Sequence, residues 1–172
     1  TQWVEDTYGI ALIDQEWKLT IDNWPNEGSD AWWDGTRQGA VGTLHSPSGD
    51  WLELPRWPLD SITSVTTYDT DSNSTSVTVG DYFDVDTNSE RGRMALKFGQ
   101  TWPTALRPTN AIEIVYKAGY GEAGSDVPIA IRRAIKEMSA YLYANRGDCG
   151  CGEAAEAVGA SAILGTYKQV RI

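Results

Sequence analysis

The sequence predicts an α+β fold, in which an antiparallel β-sandwich or barrel-like module is combined with a C-terminal amphipathic helix. Short segments of alternating apolar and polar residues recur from residue 14 to residue 118. Turn sequences such as DTDSNS and DTNSERG separate these segments, and no helical period lies between them. After residue 126, apolar residues instead recur at the spacing of a helix with one apolar side.

The first residues of the chain are expected to form the end of a residual N-terminal helix. Trp3, Val4, Thr7 and Tyr8 fall on one helical face, and Gly9 is suited to a C-terminal cap. The helix is therefore expected to end before the first strand.

Several stretches have the two-residue period of β-strands. The period is clearest where Trp17, Leu19 and Ile21 alternate with charged and polar residues. A short apolar run at residues 51–54 resembles a further strand. In addition to that run, the predicted strands cover residues 14–24, 61–70, 76–79, 82–85, 93–98 and 111–118.

A proline-containing corner, LPRWPL, separates two of these strands. Pro55 and Pro58 cannot donate a hydrogen bond to a sheet and fix the backbone φ angle. The segment is therefore predicted to form a rigid corner that exposes Arg56 and Trp57.

The clearest single element is an amphipathic helix that starts near Asp126 and Pro128 and ends at Gly147. Its apolar stripe consists of Ile131, Ala134, Ile135, Met138, Tyr141, Leu142 and Asn145, and its opposite face of Arg132, Arg133, Lys136 and Glu137. A Gly-rich hinge with Cys149 and Cys151 should follow. Residues 153–164 are expected to form a second, small-residue helix, and residues 165–172 an extended basic tail.

The predicted organisation has four parts. Residues 1–11 end a helical segment, and residues 12–125 form the β-rich module with a loop or insertion at 26–49. Residues 126–147 form the main helix. Residues 148–172 form the hinge, the short helix and the tail.

The charge balance limits the classes of partner. Twenty-four acidic and fourteen basic residues give a formal net charge of −10, which disfavours nucleic-acid binding by phosphate neutralisation. No run approaches the roughly 18 apolar residues of a transmembrane helix, so no membrane partner is predicted.

No motif specifies a catalytic, metal or cofactor site. The two cysteines are too close in sequence for a favourable disulfide, and the single histidine, His45, is distant from them. Because acidic residues are distributed throughout the chain, a hydrolase with paired carboxylates remains an alternative without a specific site.

A carbohydrate-binding β-module is a second alternative, because three of the eight tryptophans, Trp32, Trp33 and Trp57, lie in predicted loops. Five others lie at or near periodic positions and are expected in the core: Trp3, Trp17, Trp24, Trp51 and Trp102.

Several stretches in a fixed order resemble one known family. They are EWKLTIDNWP, WLELPRWPLDSITSVTTYDTD, GDYFDVDTNSERGRMALKFGQTWP, AIEIVYKAGYG, DVPIAIRRAIKEMSAYLYANRG and the terminal YKQVRI. Together they resemble the head-tail connector, or adaptor, proteins of tailed bacteriophages and phage-like gene transfer agents. The LPRxPL corner followed by SVxxYD is the most specific marker. Members usually have helices upstream, so we expect an N-terminal helical region to be missing here, and residues 26–49 are longer than the family pattern.

The resemblance implies a structural virion protein without cofactor or catalytic residues. It implies a homo-oligomeric ring, usually dodecameric, that lies below the portal protein, contacts a stopper or tail-terminator protein, and lets DNA pass without specific binding. The resemblance also implies assembly in the host cytoplasm and a final location in the neck of the virion. The subunit-interface candidates are Arg56, Trp57, Arg132, Arg133 and Lys136. The tail expected to bind the portal consists of Gly165, Thr166, Tyr167, Lys168, Gln169, Val170, Arg171 and Ile172.

Overall fold

The computed structural model describes residues 1–24, 51–89, 91–147 and 149–167. These ranges contain five helices and seven strands. In chain order they are α1 (Gln2–Tyr8), β1 (Gln15–Ile21), β2 (Trp51–Glu53), β3 (Leu59–Tyr68), β4 (Ser74–Val77), α2 (Val79–Tyr82), β5 (Phe83–Asp86), β6 (Arg93–Leu96), β7 (Ile112–Ala118), α3 (Ile129–Ala144), α4 (Cys151–Ala157) and α5 (Ala160–Gly165).

The chain forms two compact units. A β unit spans Gln15–Ala118, and a helical unit combines Thr1–Asp14 with the chain from Gly119 onward. The α+β prediction is confirmed, because both sheets are antiparallel and the longest helix follows the last strand.

The β unit contains two sheets. The larger has the strand order β1-β7-β3-β4 and the smaller the order β2-β6-β5. Strand β7 lies inside the larger sheet, where Ile112, Ile114, Tyr116 and Ala118 are buried on alternate positions. That alternation matches the predicted two-residue period, since successive side chains of a strand point to opposite faces.

An aromatic cluster connects the two sheets. Trp24 follows β1 of the larger sheet, and its ring stacks on Trp102 with 4.6 Å between centroids. Phe83 begins β5 of the smaller sheet and lies 5.6 Å from the Trp102 centroid. All three side chains are buried, which confirms the predicted core positions of Trp24 and Trp102. Trp3, Trp17 and Trp51 were also expected in the core, and that prediction was wrong because they are only half-buried.

The helical unit is organised around α3. Its buried residues Ile131, Ala134 and Met138 recur at helical spacing, and the helix packs against α4 and α5. At the N-terminal end of the chain, the backbone N–H of Leu12 donates to Glu5 Oε1 at 3.0 Å. This bond holds the segment after α1 against that helix.

Three local predictions were wrong. The single helix expected at 153–164 is two helices, because Gly159 adopts a left-handed conformation with φ of 69° between α4 and α5. Cys151 belongs to α4 rather than to a hinge. Residues 165–167 are not extended, since Thr166 and Tyr167 donate backbone hydrogen bonds to Ile163 and Leu164.

A one-turn helix, α2, also replaces part of the strands predicted at 76–79 and 82–85. The backbone N–H groups of Asp81 and Tyr82 both donate to the carbonyl of Thr78, so the chain turns there. Strand β4 consequently ends at Val77 and β5 begins at Phe83.

Gly92 is expected to tolerate no side chain. A Cβ atom there would overlap with the side chain of Leu59, which is buried at the start of β3. Gly92→Ala should therefore lower the free energy of unfolding by about 2–3 kcal/mol, measured by urea denaturation. Gly80→Ala is the matched control, because nothing lies within 4 Å of its added Cβ. Equal stability of the two variants would contradict the packing seen at Gly92.

Candidate assembly surfaces

The predicted site residues lie at three places. Arg56 and Trp57 occupy the corner between β2 and β3 in the β unit. Arg132, Arg133 and Lys136 lie on α3 in the helical unit. The tail begins at the end of α5, and residues 168–172 fall outside the described residues, as do Trp32, Trp33 and His45.

The corner is packed against the β unit rather than exposed. Arg56 and Trp57 are both half-buried, and the Arg56 guanidinium lies 4.5 Å from the ring centroid of Trp17 on β1. A guanidinium over a Trp face is attracted by the ring quadrupole. The prediction that the corner exposes both side chains was therefore wrong.

Tyr116 connects this corner to the central strand β7. Its side chain is 1% exposed, and burial raises the pKa of its hydroxyl to about 12. A hydrogen bond from the Arg56 backbone and the Arg56 charge act in the opposite direction and lower that pKa by less. The corner is thus held both by a stacked guanidinium and by a buried phenol.

Alkaline pH is expected to destabilise the protein through Tyr116. The neutral phenol is favoured in the folded state, so its contribution is complete below the ordinary pKa of 10 and is lost as pH rises towards 12. The loss should be on the order of 2–3 kcal/mol, at about 1.4 kcal/mol per pKa unit. Urea denaturation from pH 9 to pH 11.5 measures it.

Tyr116→Phe should show a shallower decline than the unsubstituted protein over that pH range. Tyr143→Phe is the matched control, since it removes the hydroxyl of a side chain that is 71% exposed. An identical pH dependence in all three proteins would contradict the assignment to Tyr116.

The side of α3 opposite its buried seam combines apolar and basic residues. Ile129 is 76% exposed and Tyr143 is 71% exposed. Steps of three and four residues place them on one side of the helix with three other exposed residues. We call this side the outer face, and it consists of Ile129, Arg133, Lys136, Ala140 and Tyr143.

Positive charge predominates on this outer face. Arg133 Nε lies 2.8 Å from Glu137 Oε1, whereas Lys136 is exposed and has no ion pair among the described residues. One turn further on, the Arg146 guanidinium stacks on Tyr143 at 3.9 Å from the ring centroid. Arg132 is half-buried at the side of the outer face. The β unit, by contrast, contains fifteen acidic and eight basic residues.

The start of the tail lies against the helical unit. Burial and, to a lesser extent, the neighbouring Tyr167 raise the pKa of the Tyr120 hydroxyl to about 12. Thr166 Oγ1 also donates to the Ile163 carbonyl at 2.7 Å. Tyr167 is therefore part of the folded body.

Phe98 is an exposed aromatic residue whose position the sequence did not predict. It was expected to alternate with Met94 and Leu96 in a strand, but β6 ends at Leu96 and Phe98 is fully exposed. The backbone N–H of Gln100 donates to the Lys97 carbonyl, and Gly99 has a φ of 83°. Gly99 is the residue of the sequence that could have indicated the early end of this strand, because a left-handed glycine typically ends a strand in a turn.

The described ranges contain no group of three or more His, Cys, Asp or Glu side chains that could hold a metal ion. Cys149 and Cys151 are both free thiols. In the same part of the chain, no helix is long and apolar enough to cross a membrane.

Comparison with known proteins identifies solved structures of the same fold. No known family model matches the sequence, and no curated protein is detectably similar to it. A chain in the neck of a native gene transfer agent particle, computed with C12 symmetry, has a TM-score of 0.73 at 21% identity, over 99% of this chain and 78% of that chain. A chain in the neck of the empty particle, computed with C6 symmetry, has a TM-score of 0.71 at 23% identity, over 99% and 73% of the two chains.

The virion of the native gene transfer agent contains a chain with the same TM-score of 0.71 and 23% identity, again over 99% of this chain and 73% of that chain. At these identities the comparison establishes the fold. The resemblance inferred from the sequence motifs is confirmed at that level.

Proposed function

We propose that this chain is a structural subunit of the neck of a phage-like particle, where it forms a ring that joins the DNA-filled head to the tail. The observation that carries the proposal is the match of 99% of the chain to a neck chain of a gene transfer agent. Independent sequence motifs in the same order support it, since they span both structural units.

The proposed ring has twelve copies. The neck in which the first similar chain was found was computed with C12 symmetry, and the empty neck with C6 symmetry, which is a subgroup of C12. Repetition around a ring makes individually weak contacts collectively strong. Small exposed patches such as the outer face of α3 are then sufficient for assembly.

The proposed partners are the portal protein on one side and a stopper or tail-terminator protein on the other. We assign portal binding to the part of the tail that follows Tyr167, residues 168–172, whose sequence KQVRI is basic and apolar and would add a strand to a sheet edge or lie in a groove between portal subunits. Assembly takes place in the host cytoplasm, and the final location is the neck of the virion.

DNA would pass through the ring without specific binding. A chain of net charge −10 repeated around a channel repels a duplex and keeps it from adhering to the wall. The role is structural rather than catalytic. A channel wall lined mainly by Arg and Lys in an assembled ring would contradict this part of the proposal.

Imaging of the purified protein with and without its portal tests the function. Negative-stain microscopy and native mass measurement should show a ring of fixed subunit number on the portal, with twelve copies expected. A protein that stays monomeric in the presence of the portal, or that binds glycans on an array instead, would contradict the proposal.

Arg56 and Trp57 are proposed to lie at a subunit boundary, because Arg and Trp are common interface anchors. Replacing both with Ala should lower folding stability by about 1–2 kcal/mol through loss of the Trp17 contact and should weaken ring assembly by more than that. Urea denaturation measures the first effect and native mass the second. Arg56→Lys is the control, since it keeps a cation over Trp17. Loss of folding stability alone would make the corner purely structural.

A further inference from the structure

We infer that the outer face of α3 is the lateral contact of the ring and that it binds the acidic β unit of the neighbouring copy, at strand β4. The inference rests on the proposed ring and names the two surfaces that meet in it. It is carried by the exposure of apolar residues on α3, by their basic neighbours, and by a sheet edge that acidic residues flank and that no other strand of the described residues pairs.

The outer face has the composition of a contact surface. Ile129 and Tyr143 are two of the four large hydrophobic residues found exposed in the described ranges, and both lie on this one side of α3. Aromatic residues and Arg are enriched in protein interfaces, and Tyr143 is stacked under Arg146. The pair presents a pre-ordered apolar ring bordered by positive charge.

The positive charge of the outer face indicates which surface of the neighbouring copy this face binds. Lys136 lies near the centre of the outer face and has no ion pair among the described residues. If two copies met through the same face, their Lys136 side chains would come together, and like charges in contact oppose association. The contact is therefore between different surfaces of the two copies. Such head-to-tail contacts form a ring when the rotation between copies closes.

Strand β4 provides a complementary surface on the β unit. It is an edge strand of the larger sheet, and residues 74–76 are all exposed. Asp71 precedes it and Asp81 follows it, and both side chains are exposed without an ion pair in the described part of the chain. No strand within the described ranges pairs with the outer side of β4. A sheet edge without charged residues of its own is typically covered by another segment or chain.

A second copy fits better than DNA as the partner of the outer face. The chain as a whole carries a net charge of −10, which opposes approach of a polyanion, whereas the β unit of another copy supplies local negative charge. The basic residues of α3 are few, and they are flanked by Ile129 on one side and by Ala140 and Tyr143 on the other. Such a mixed surface matches a protein partner with both acidic and uncharged positions.

Photo-crosslinking of the full chain tests the inference. A photoreactive benzoylphenylalanine replaces Tyr143, which lies opposite the buried seam of α3. Equal amounts of unlabelled and ¹⁵N-labelled protein are assembled on the portal and irradiated, so that a crosslink between copies carries mixed labels. We expect mixed-label crosslinks from position 143 to peptides that contain residues 71–81. The same label at Glu156, an exposed position on α4, is the control and should give no such crosslink.

The results of this experiment distinguish a failure of the inferred contact from a failure of the proposed neck function. Rings without crosslinks from position 143 to the β unit, or with crosslinks between two α3 helices, would overturn the inference and leave the neck role intact. Crosslinking to added duplex DNA in place of protein would also overturn it. Absence of any ring on the portal for the unsubstituted protein would overturn the proposed function, and the inference with it.

Charge reversal provides a second, independent measurement. Lys136→Glu should reduce the fraction of protein in rings by about tenfold, because it places like charges against Asp71 and Asp81. Combining it with Asp71→Lys and Asp81→Lys should restore the rings. Glu156→Lys is the control for a change of charge elsewhere. Failure of the triple variant to recover, with circular dichroism showing a folded protein, would contradict the pairing of these two surfaces.

Discussion

Deletion of residues 168–172 is expected to abolish binding to the portal while leaving the protein folded. Leu164 is fully buried, α5 ends at Gly165, and Tyr167 neighbours Tyr120. Truncation after Tyr167 therefore preserves every described contact of the helical unit. The deletion removes Lys168, Arg171 and the apolar residues between and after them, which are the proposed portal contacts.

A pull-down with portal rings measures the effect, with thermal denaturation as the test of folding. Because the contact is repeated around the ring, its loss from every copy should reduce retention by at least about 100-fold, the lower range of multivalent enhancement. A variant that replaces residues 168–172 with GSGSG keeps the length and is the matched control for chain length. This variant should lose retention on portal rings to the same extent as the deletion. Unchanged retention of either variant would assign portal binding to another part of the chain.

Trp102→Ala is expected to have the largest effect on stability. The side chain is 5% exposed and contacts both Trp24, which follows β1 of the larger sheet, and Phe83 of the smaller sheet. Removal of a buried aromatic ring at a sheet-to-sheet junction should cost about 3–5 kcal/mol, because the surrounding backbone cannot collapse to fill the cavity. That amount is a large part of the stability of a typical domain.

Urea denaturation measures the loss, and Trp102→Phe should recover part of it because a smaller ring still fills the site. Phe98→Ala is the matched control, since Phe98 is an aromatic residue that is fully exposed in the same connection between β6 and β7. Its effect should lie within about 0.5 kcal/mol. Similar losses at positions 98 and 102 would show that the cluster does not hold the sheets together.

Most strands could be predicted because their periodicity is a property of local sequence. The strand expected at 111–118 was found at Ile112–Ala118, since Ile112, Ile114 and Tyr116 all need the same buried face. The main helix could be predicted equally well, because all of its buried residues belong to the apolar stripe that the sequence shows. In both cases one local pattern is sufficient to decide which side faces the core.

The wrong predictions occurred where a few residues decided the backbone. Gly159 divides what reads as one small-residue helix, and Thr78 begins a turn within a stretch of good strand formers. In such short segments, intrinsic propensity is a weak indicator and tertiary contacts override it.

The sequence by itself determined the fold class, the main helix, the core positions of Trp24 and Trp102, and the family that the chain resembles. These depend on periodicity and on the order of motifs, which can be read along the chain. Only the tertiary structure decided that Arg56 lies on Trp17, that Tyr116 is buried beneath the same corner, and that Ile129 and Tyr143 share an exposed face with Lys136. Contacts of this kind join residues that are distant in sequence, or depend on which side of an element other elements cover, and no local pattern encodes either.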